Sequence, residues 1–261
     1  MSHDISEPLP HTDPEGPVLP EGWSRADLHV HTNLSDGIAS PRRVVDEALR
    51  RGLRVIAITD HDSLEGAKRV ADILAREHLP IDLIMGTEVT TSAGHFIGLF
   101  MEKRIKIYKS VEYSIDAIKE QGGICVIPHP LGRLVPSLSR RKIEDLLARG
   151  YVIDGIETYN PSPANAAARD AVRQLNGTWN FASVGSSDAH FWQHIGAGYT
   201  LFQGTTANDL RHALISRSTR SGGQETPPTP MPIPAYVAQC AWAWFVDPAR
   251  RVRRMIADPV K

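Results

Sequence analysis

Short apolar runs alternate with amphipathic, helix-like segments along the chain from Trp23 onward. Each run has the length of a buried strand, and each amphipathic segment repeats its apolar residues at helical spacing. The predicted strands cover residues 26–30, 54–58, 81–85, 124–127, 153–156, 182–184 and 198–202, and residues 95–100 predict an added antiparallel strand near the third unit. This alternation is typical of parallel βαβ units with right-handed crossovers.

Serine or threonine residues precede several of the amphipathic segments. A hydroxyl at such a position accepts a hydrogen bond from the first helical turn. We therefore predict helix N-termini at Ser40, Ser63, Ser110, Ser139 and Thr206. A proline follows the first of these serines, at the first helical position, where proline is favoured.

The number of units favours a closed barrel over an open sheet. The chain has room for about seven strand–helix units, and about 250 residues are typical of a barrel with eight. An open doubly wound sheet would normally carry a glycine-rich phosphate loop after its first strand. The segment after residue 30 has no such loop. We therefore predict one α/β domain whose strands close into a barrel.

The two ends of the chain differ from the predicted barrel at residues 23–220. Residues 1–22 are polar, acidic and proline-rich and lack the basic start and apolar core of a secretory signal, so they predict a flexible leader with exposed His3 and His11. Residues 221–234 predict a proline-rich linker, and residues 235–261 predict an amphipathic tail helix.

The tail has two interpretations. Its apolar stretch is shorter than the about 20 residues that span a bilayer. Its aromatic residues and the arginines that follow them could form an interfacial helix on a membrane surface. Alternatively, the helix docks on the barrel or on a second copy of the chain. The residues concerned are Trp242, Trp244, Phe245, Arg250, Arg251, Arg253 and Arg254.

Composition adds two limits. Apolar residues make up 41% of the chain, charged residues 23%, and the formal net charge is -1. The chain therefore has no global basic footprint for nucleic acid, and such a substrate would have to be held locally. Cys125 and Cys240 are the two cysteines. So few cysteines favour a reducing, cytoplasmic location, with peripheral membrane contact through the tail as an addition.

Histidines and carboxylates are concentrated where the predicted strands end. They occur in DLHVHTNLSDG (27–37), TDHD (59–62), GTE (86–88), PHP (128–130) and SSDAH (186–190), and at Glu157. His29 and His31 are two residues apart, so on a strand they point to the same face and can bind one ion. The carboxyl ends of barrel strands converge on one mouth, where such folds place their active sites.

A single histidine at a strand end is more often a structural residue than a ligand. The joint pattern differs, because random placement would scatter these residue types over helices and loops. Imidazoles and carboxylates together suit divalent Mn, Fe or Zn. More of them converge here than one ion needs. The sequence therefore predicts a centre for more than one metal ion at the barrel mouth.

These segments, in this order, resemble the successive motifs of the PHP (polymerase and histidinol phosphatase) superfamily over residues 26–202. The resemblance implies a distorted (β/α)7 barrel holding two or three divalent ions. It implies one ion at His29, His31 and Asp188, with Glu88 bridging to a second ion at His129, and a third ion at Asp36, His61 and His190. His95 and Glu157 fall near this set and are further candidates for ligands or substrate contacts.

Three residues beside the predicted ligands are candidates for other roles. Asp60 is a catalytic-site candidate that we expect to orient an imidazole or its loop, and Asp62 is open between this role and that of a turn residue. Arg133 follows His129 in HPLGR, where a guanidinium could bind a substrate phosphate through two hydrogen bonds. A solvated loop arginine is the alternative interpretation.

The resemblance implies hydrolysis of phosphate esters. Closely spaced divalent ions lower the pKa of a bridging water, and the metal-bridged hydroxide would attack phosphorus in line. The similarity is to stand-alone bacterial PHP phosphoesterases that act on nucleotides or short RNA. A histidinol-phosphate phosphatase or a phosphotyrosine phosphatase is the alternative substrate class.

Two other classes of protein compete with this hypothesis. A catalytically silent metal-binding scaffold would be expected to have lost several ligands, whereas every matched position here carries one. An amidohydrolase-type barrel, which hydrolyses C–N bonds, also begins with an HxH pair. It would usually carry a lysine or another bridging residue on a middle strand, and the Asp60–His61 and Asp188–His190 pairs fit the PHP pattern better.

Overall fold

The computed structural model describes residues 19–223 and 231–257. Most of the predicted leader, with His3 and His11, lies outside the described residues, as do residues 224–230 of the predicted linker and the last four residues of the tail.

The described residues form one sheet of nine strands, in the order β7-β6-β5-β4-β3-β2-β1-β8-β9. The strands are β1 (Trp23–Asp27), β2 (Val55–Ile58), β3 (Asp82–Thr91), β4 (Gly94–Leu99), β5 (Ile124–Ile127), β6 (Gly155–Tyr159), β7 (Ala182–Gly185), β8 (Gly198–Gln203) and β9 (Arg220–Gly223).

Strand directions confirm most of the predicted topology. β1, β2 and β3 are parallel to one another, and so are β5, β6 and β7. β4 is antiparallel to both of its neighbours, β3 and β5, which confirms the added antiparallel strand. β8 is antiparallel to β1, so the prediction of a seventh parallel unit is wrong. The connection from β7 to β8 contains a single 3-10 turn, Trp192–His194, and no crossover helix that would return the chain in the parallel direction.

β9 corrects the predicted boundary between barrel and linker, because residues 221–223 belong to this strand. β9 pairs antiparallel with β8 at one edge of the sheet and lies beside the opposite edge, which β7 forms. Thr158 of β6 donates a hydrogen bond to the Ser221 hydroxyl over 2.8 Å, and Thr219 donates to the carbonyl of Ser183 in β7 over 2.9 Å. These contacts bring the two edges together, so the sheet is a nearly closed, distorted barrel.

Helices surround this sheet, and a pair of them forms the tail. They are α1 (Pro41–Arg50), α2 (Glu65–Glu77), α3 (Val111–Glu120), α4 (Arg140–Ala148), α5 (Pro163–Ala166), α6 (Arg169–Trp179), α7 (Ala207–Ile215), α8 (Ile233–Ala241) and α9 (Asp247–Ala257). The predicted caps of α1, α3, α4 and α7 are confirmed, because each hydroxyl accepts a backbone N–H from the first turn. In α2 the cap is Leu64, so the prediction at Ser63 is off by one residue.

Alternating side chains place the site inside the barrel. Ile84, Ile97 and Val184 belong to one buried apolar cluster with residues from β1, β2, β5, β8 and α7. Neighbouring strand residues such as Ile56 face the other way and pack against α1 and α2. Because side chains two residues apart share a face, the interior side of β3 that begins with Ile84 continues to the carboxylate of Glu88.

The predicted tail helix is confirmed as α8 and α9, joined by a π-helical turn at Trp242–Val246. It docks on the barrel. Arg251 is only 7% exposed, which fits the docked alternative and removes Arg251 from the arginines that could face a membrane. Trp244 and Phe245 are exposed, so contact with a membrane surface or with a second copy stays a prediction. No helix in the described part of the chain has the length and hydropathy needed to cross a bilayer.

Removing the cap of α7 should destabilise the barrel modestly. Thr206 accepts the backbone N–H of Asp209, and the Asp209 carboxylate accepts the backbone N–H of Thr206. We expect Thr206→Ala to lower the free energy of unfolding by about 1 kcal/mol, measured by urea denaturation. The neighbouring exposed Thr205 is the control, and Thr205→Ala should change stability by less than half as much. Equal effects would contradict the capping role.

Candidate metal centre

The polar side chains of the candidate site lie at or near the ends of the strands. The segment after β1 carries His29, His31 and Asp36, and His61 follows β2. Glu88 and His95 lie within the β3–β4 hairpin, and Glu157 lies within β6. His129 follows β5, and Asp188 and His190 follow β7. The structure brings all ten predicted ligand candidates to one end of the barrel. The rings and carboxylates of these residues contact one another directly. β1 itself ends at Asp27, before the two histidines.

Glu88 is the centre of this arrangement. Its carboxylate lies 2.8 Å from His129 Nε2, 2.9 Å from His95 Nδ1 and 3.1 Å from His29 Nε2. It also lies 3.3 Å from His31 Nε2 and 3.5 Å from His61 Nδ1. Five imidazoles therefore surround one buried carboxylate. This is the position that a carboxylate shared between two ions would occupy.

Asp188 and Asp36 form two further groups with the same histidines. The Asp188 carboxylate lies 3.3 Å from His29 Nε2 and 3.5 Å from His31 Nε2. The Asp36 carboxylate lies 3.3 Å from His31 Nδ1 and 3.5 Å from His61 Nε2. His190 Nε2 is 3.0 Å from Asp36, and the His190 ring stacks on His31 with centroids 4.3 Å apart.

The ligand atoms fall into four overlapping groups, and within each group all of them lie within 4.8 Å of one another. The groups are His31, Asp36, His61 and His190; His29, Glu88 and His129; His29, His31 and Asp188; and His61, Glu88 and His95. Shared residues join these groups into one continuous cluster. Such a cluster has room for more than one ion.

Two buried imidazoles support the fit to metal. Both ring nitrogens of His31 and the Nδ1 of His61 lie 3.3–3.5 Å from carboxylate oxygens but make no well-aligned hydrogen bond to any described residue. Buried ring nitrogens normally have a partner. Neutral imidazole nitrogens and carboxylate oxygens are donors that divalent Mn, Fe and Zn accept. The donor set therefore fits divalent cations.

Opposing effects set the charges of the cluster. Burial by itself would raise the pKa of Glu88, but the imidazoles of His95, His61 and His29 hold it well below its usual range. Asp36 shows the same balance. Burial would lower the pKa of His29, but the carboxylates around it raise that pKa well above its usual range. Without metal, His29 and His31 therefore favour the protonated form, which balances the carboxylates, so metal binding should release protons.

Glu157 orients His29. Its Oε1 lies 2.8 Å from His29 Nδ1, and its Oε2 accepts the backbone N–H of His129 over 2.6 Å. Asn160 and Ser186 also donate to this carboxylate. With both oxygens occupied, Glu157 belongs to none of the four groups. The geometry favours a positioning role over the predicted ligand or substrate contact.

We expect Glu157→Gln to weaken metal binding and to lower any hydrolytic rate by about 10- to 100-fold, because partners that orient a ligating histidine have effects of this size. The amide keeps the size of the side chain but removes the charge opposite His29. Metal content after dialysis and turnover of a small phosphate ester would measure the change. Exposed Glu120 offers a matched control, Glu120→Gln. Wild-type metal retention in Glu157→Gln would rule out the positioning role.

Asp60 and Asp62 hold the loops that carry ligands. Both oxygens of buried Asp60 accept hydrogen bonds from the backbone N–H and hydroxyl of Thr32, at 2.7 Å each, and the Ser35 hydroxyl donates over 2.5 Å. Asp60 thus fixes the loop before Asp36, which agrees with the expectation that it orients a loop that carries a ligand. Asp62 accepts the backbone N–H and hydroxyl of Thr90, both at 2.7 Å, and so ties the end of β2 to β3.

Arg133 is exposed on the loop that follows His129 and has no hydrogen-bond or ion-pair partner among the described residues. Its predicted contact with a substrate phosphate stays a prediction.

Three candidate-site residues have left-handed backbone conformations. Asp62 has φ 55°, His129 has φ 30° and Asp188 has φ 52°. Non-glycine residues rarely adopt positive φ, and they persist where the surrounding structure over-determines them. The hydrogen bonds of Asp62 to Thr90 and of His129 to Glu157 do this here. Three of the nine described non-glycine residues with positive φ therefore lie at the candidate site.

Sequence reasoning missed some residues that organise the centre. Buried Asp27 accepts the backbone N–H of Ser187 over 3.0 Å and of Gly196 over 2.8 Å, which joins β1 to the loop after β7. Burial raises the pKa of Asp27 to about 6. Asn160 donates to Glu157 over 3.0 Å. It directly follows β6, so the strand-end rule that identified the ligands could also have identified Asn160.

Comparison with known proteins agrees with these observations. The model of the PHP domain matches residues 27–161, and that of the PHP-associated region matches residues 164–219. An uncharacterized protein of Methanocaldococcus jannaschii is 33% identical over 147 residues, which are 52% of this chain and 81% of the relative.

Two relatives with stated activities match shorter regions. A 5'-3' exoribonuclease of Haemophilus influenzae is 34% identical over 102 residues, 38% of this chain and 36% of the relative. A 3',5'-nucleoside bisphosphate phosphatase of Chromobacterium violaceum is 39% identical over 77 residues, 28% of this chain and 26% of the relative.

A solved structure matches the fold. It is a two-domain protein of Bacteroides vulgatus that contains a predicted PHP-like metal-dependent phosphoesterase. The TM-score is 0.68 at 23% identity, over 84% of this chain and 70% of that structure. At this identity, the match concerns the barrel architecture alone.

Proposed function

This chain belongs to the PHP domain family, and we propose that it is a metal-dependent phosphoesterase that hydrolyses phosphate esters of nucleotides or short RNA with two or three divalent ions. The proposed ligands are those predicted from the motifs, with His95 added beside Glu88. The observation that carries the proposal is the buried Glu88 carboxylate, surrounded by five imidazoles and shared between overlapping ligand groups.

Divalent ions at this centre would activate water at neutral pH and neutralise charge on the phosphoryl group. The residues of the chain prepare the site for them. Glu157 holds His29 in one orientation through its Nδ1, and Asp60 fixes the loop that presents Asp36. Burial of these groups excludes bulk water, which strengthens every electrostatic interaction with a bound phosphate.

The substrate class is supported by the relatives and by charge. One relative is an exoribonuclease and the other a 3',5'-nucleoside bisphosphate phosphatase, so their named substrate classes are RNA and nucleoside bisphosphates. The net charge of -1 argues against an extended basic groove for long nucleic acid. We favour Mn, Fe or Zn as the ions. The reduced state of Cys125 and Cys240 is consistent with the proposed cytoplasmic location.

The test is product analysis after the Mn-loaded protein meets a panel of phosphate esters. The panel holds nucleoside monophosphates, 3',5'-bisphosphates, a 5'-phosphorylated RNA, histidinol phosphate and a phosphotyrosine peptide, and His61→Ala is the inactive control. Release of phosphate or nucleotides that is lost in the variant would support the proposal. Turnover of histidinol phosphate or phosphotyrosine alone would select the alternative substrate class. No turnover despite bound metal would favour the scaffold.

A further inference from the structure

The tail lies across the mouth of the barrel, on the side that carries the metal centre. Gln239 donates a hydrogen bond to the backbone carbonyl of Asp36 over 3.3 Å, and the Trp242 indole N–H donates to the carbonyl of Ser35 over 3.1 Å. Tyr236 packs on Phe191, with ring centroids 5.1 Å apart. The tail therefore contacts both the loop that carries Asp36 and the segment directly after His190.

Arg251 of α9 connects the tail to a third loop. Its Nη1 lies 3.3 Å from the Asp62 carboxylate and donates to the Thr90 hydroxyl over 2.9 Å. Its Nε donates to the Asp247 carboxylate over 2.5 Å. Arg251 and Asp247 are both buried. Removal of one partner from such a buried ion pair leaves an unpaired charge, so these contacts favour one position of α9 on the barrel.

The tail leaves the metal centre partly open. The His190 side chain is 22% exposed and that of Asp188 is 11% exposed, whereas His29 and His31 are buried. The contacts with Ser35, Asp36 and Asp62 come from residues 239–251, which lie beyond residue 219, where the second family match ends. The part of the tail that makes these contacts therefore lies outside both family matches.

We propose that residues Ile233–Ala257 form a cap over the metal centre, latched by Arg251 and Trp242, that restricts hydrolysis to small phosphate esters and to phosphates at a chain end. The proposal rests on the function proposed above and deepens it. A terminal phosphate has one substituent, so it can enter an opening on one side. At an internal phosphodiester the nucleic-acid chain continues on both sides of the phosphate. The cap would collide with one of these two segments.

Matched variants separate the latch from general effects of the tail. Arg251→Ala removes the ion pair with Asp62, whereas Arg253→Ala makes the same change at an exposed position of the same helix. Trp242→Phe removes the indole N–H that reaches Ser35 but keeps an aromatic ring beside Arg250, and it is mild enough to leave folding intact. Thermal melts of the full chain confirm that each variant is folded.

The first readout needs no catalysis. Protein loaded with Mn is mixed with EDTA, and the rate of metal loss is measured. An open mouth exposes the ligands to chelator, so we expect Arg251→Ala to release metal faster by about tenfold or more, with a smaller increase in Trp242→Phe. Arg253→Ala should match the wild type. Equal rates in Arg251→Ala and Arg253→Ala would overturn the cap.

The second readout compares a linear 5'-phosphorylated RNA with a circular RNA of the same sequence, which has no end. The wild type should degrade the linear RNA and leave the circle intact, and Arg251→Ala should gain cleavage of the circle. Cleavage of both RNAs by the wild type would overturn the restriction to chain ends. If no phosphate ester is hydrolysed, the proposed function fails, while the rates of metal loss still decide whether the tail is a cap.

Discussion

Replacing Glu88 with glutamine is expected to remove at least one metal ion and to lower phosphoesterase activity by more than about 100-fold, beyond the effect of changing an orienting partner. The amide nearly preserves the volume of the buried side chain. It removes the negative charge that faces five imidazoles. The amide nitrogen can neither accept a hydrogen bond nor bind a cation. Because the same carboxylate belongs to two of the ligand groups, its loss should affect more than one ion.

Metal content by mass spectrometry and turnover of a small phosphate ester would measure this effect. Glu102→Gln is the matched control, because Glu102 is exposed and lies outside the four groups. It should keep both metal and activity. If Glu88→Gln kept its full metal content and its activity within a few-fold of the wild type, Glu88 would not be a shared ligand.

Replacing Asp60 with alanine is expected to lower the free energy of unfolding by about 3 kcal/mol, because it leaves buried donors without an acceptor. The backbone N–H and hydroxyl of Thr32 and the hydroxyl of Ser35 all donate to this carboxylate. Their loop presents Asp36, so the same change should also weaken binding of the ion proposed at Asp36, His61 and His190. Urea denaturation and metal analysis would measure the two effects.

A second variant tests the same loop through a change in helix α2, which packs against Asp60. A Cβ atom at Gly66 of α2 would lie 1.8 Å from Asp60 Oδ2 and 2.7 Å from the Thr32 hydroxyl, so Gly66→Ala should displace the carboxylate and reproduce part of the loss. Asp116→Ala, at an exposed position of α3, is the control. A fully stable Asp60→Ala protein with an unchanged metal content would show that the loop keeps its shape without Asp60.

Local chemistry made much of the fold predictable. Strands and helices follow from hydrophobic spacing, and the caps at Ser40, Ser110 and Ser139 follow from a hydroxyl placed before a helical segment. The direction of β8 was not predictable in this way, since its residues would suit a parallel or an antiparallel neighbour equally well. Pairing partners are set by how the sheet closes, which is a property of the whole chain.

The candidate site shows the same division. The spacing of His29 and His31 and the polar residues after successive strands were sufficient to predict a metal centre, because parallel strands bring their carboxyl ends together. The different surroundings of the Glu88 and Glu157 carboxylates were not predictable, since both residues are glutamates near the ends of strands. Glu88 lies among five rings, whereas Glu157 is saturated by donors from His29, His129, Asn160 and Ser186.

The sequence by itself determined the barrel class and the residues able to bind metal, because both depend on side-chain type and short-range spacing. Only the tertiary structure decided which carboxylate is shared and where the tail lies. Arg251 illustrates the reason. Among neighbouring arginines it has no distinguishing sequence feature, and it is buried because Asp62 and Thr90, about 190 and 160 residues earlier in the chain, face it across the mouth of the barrel.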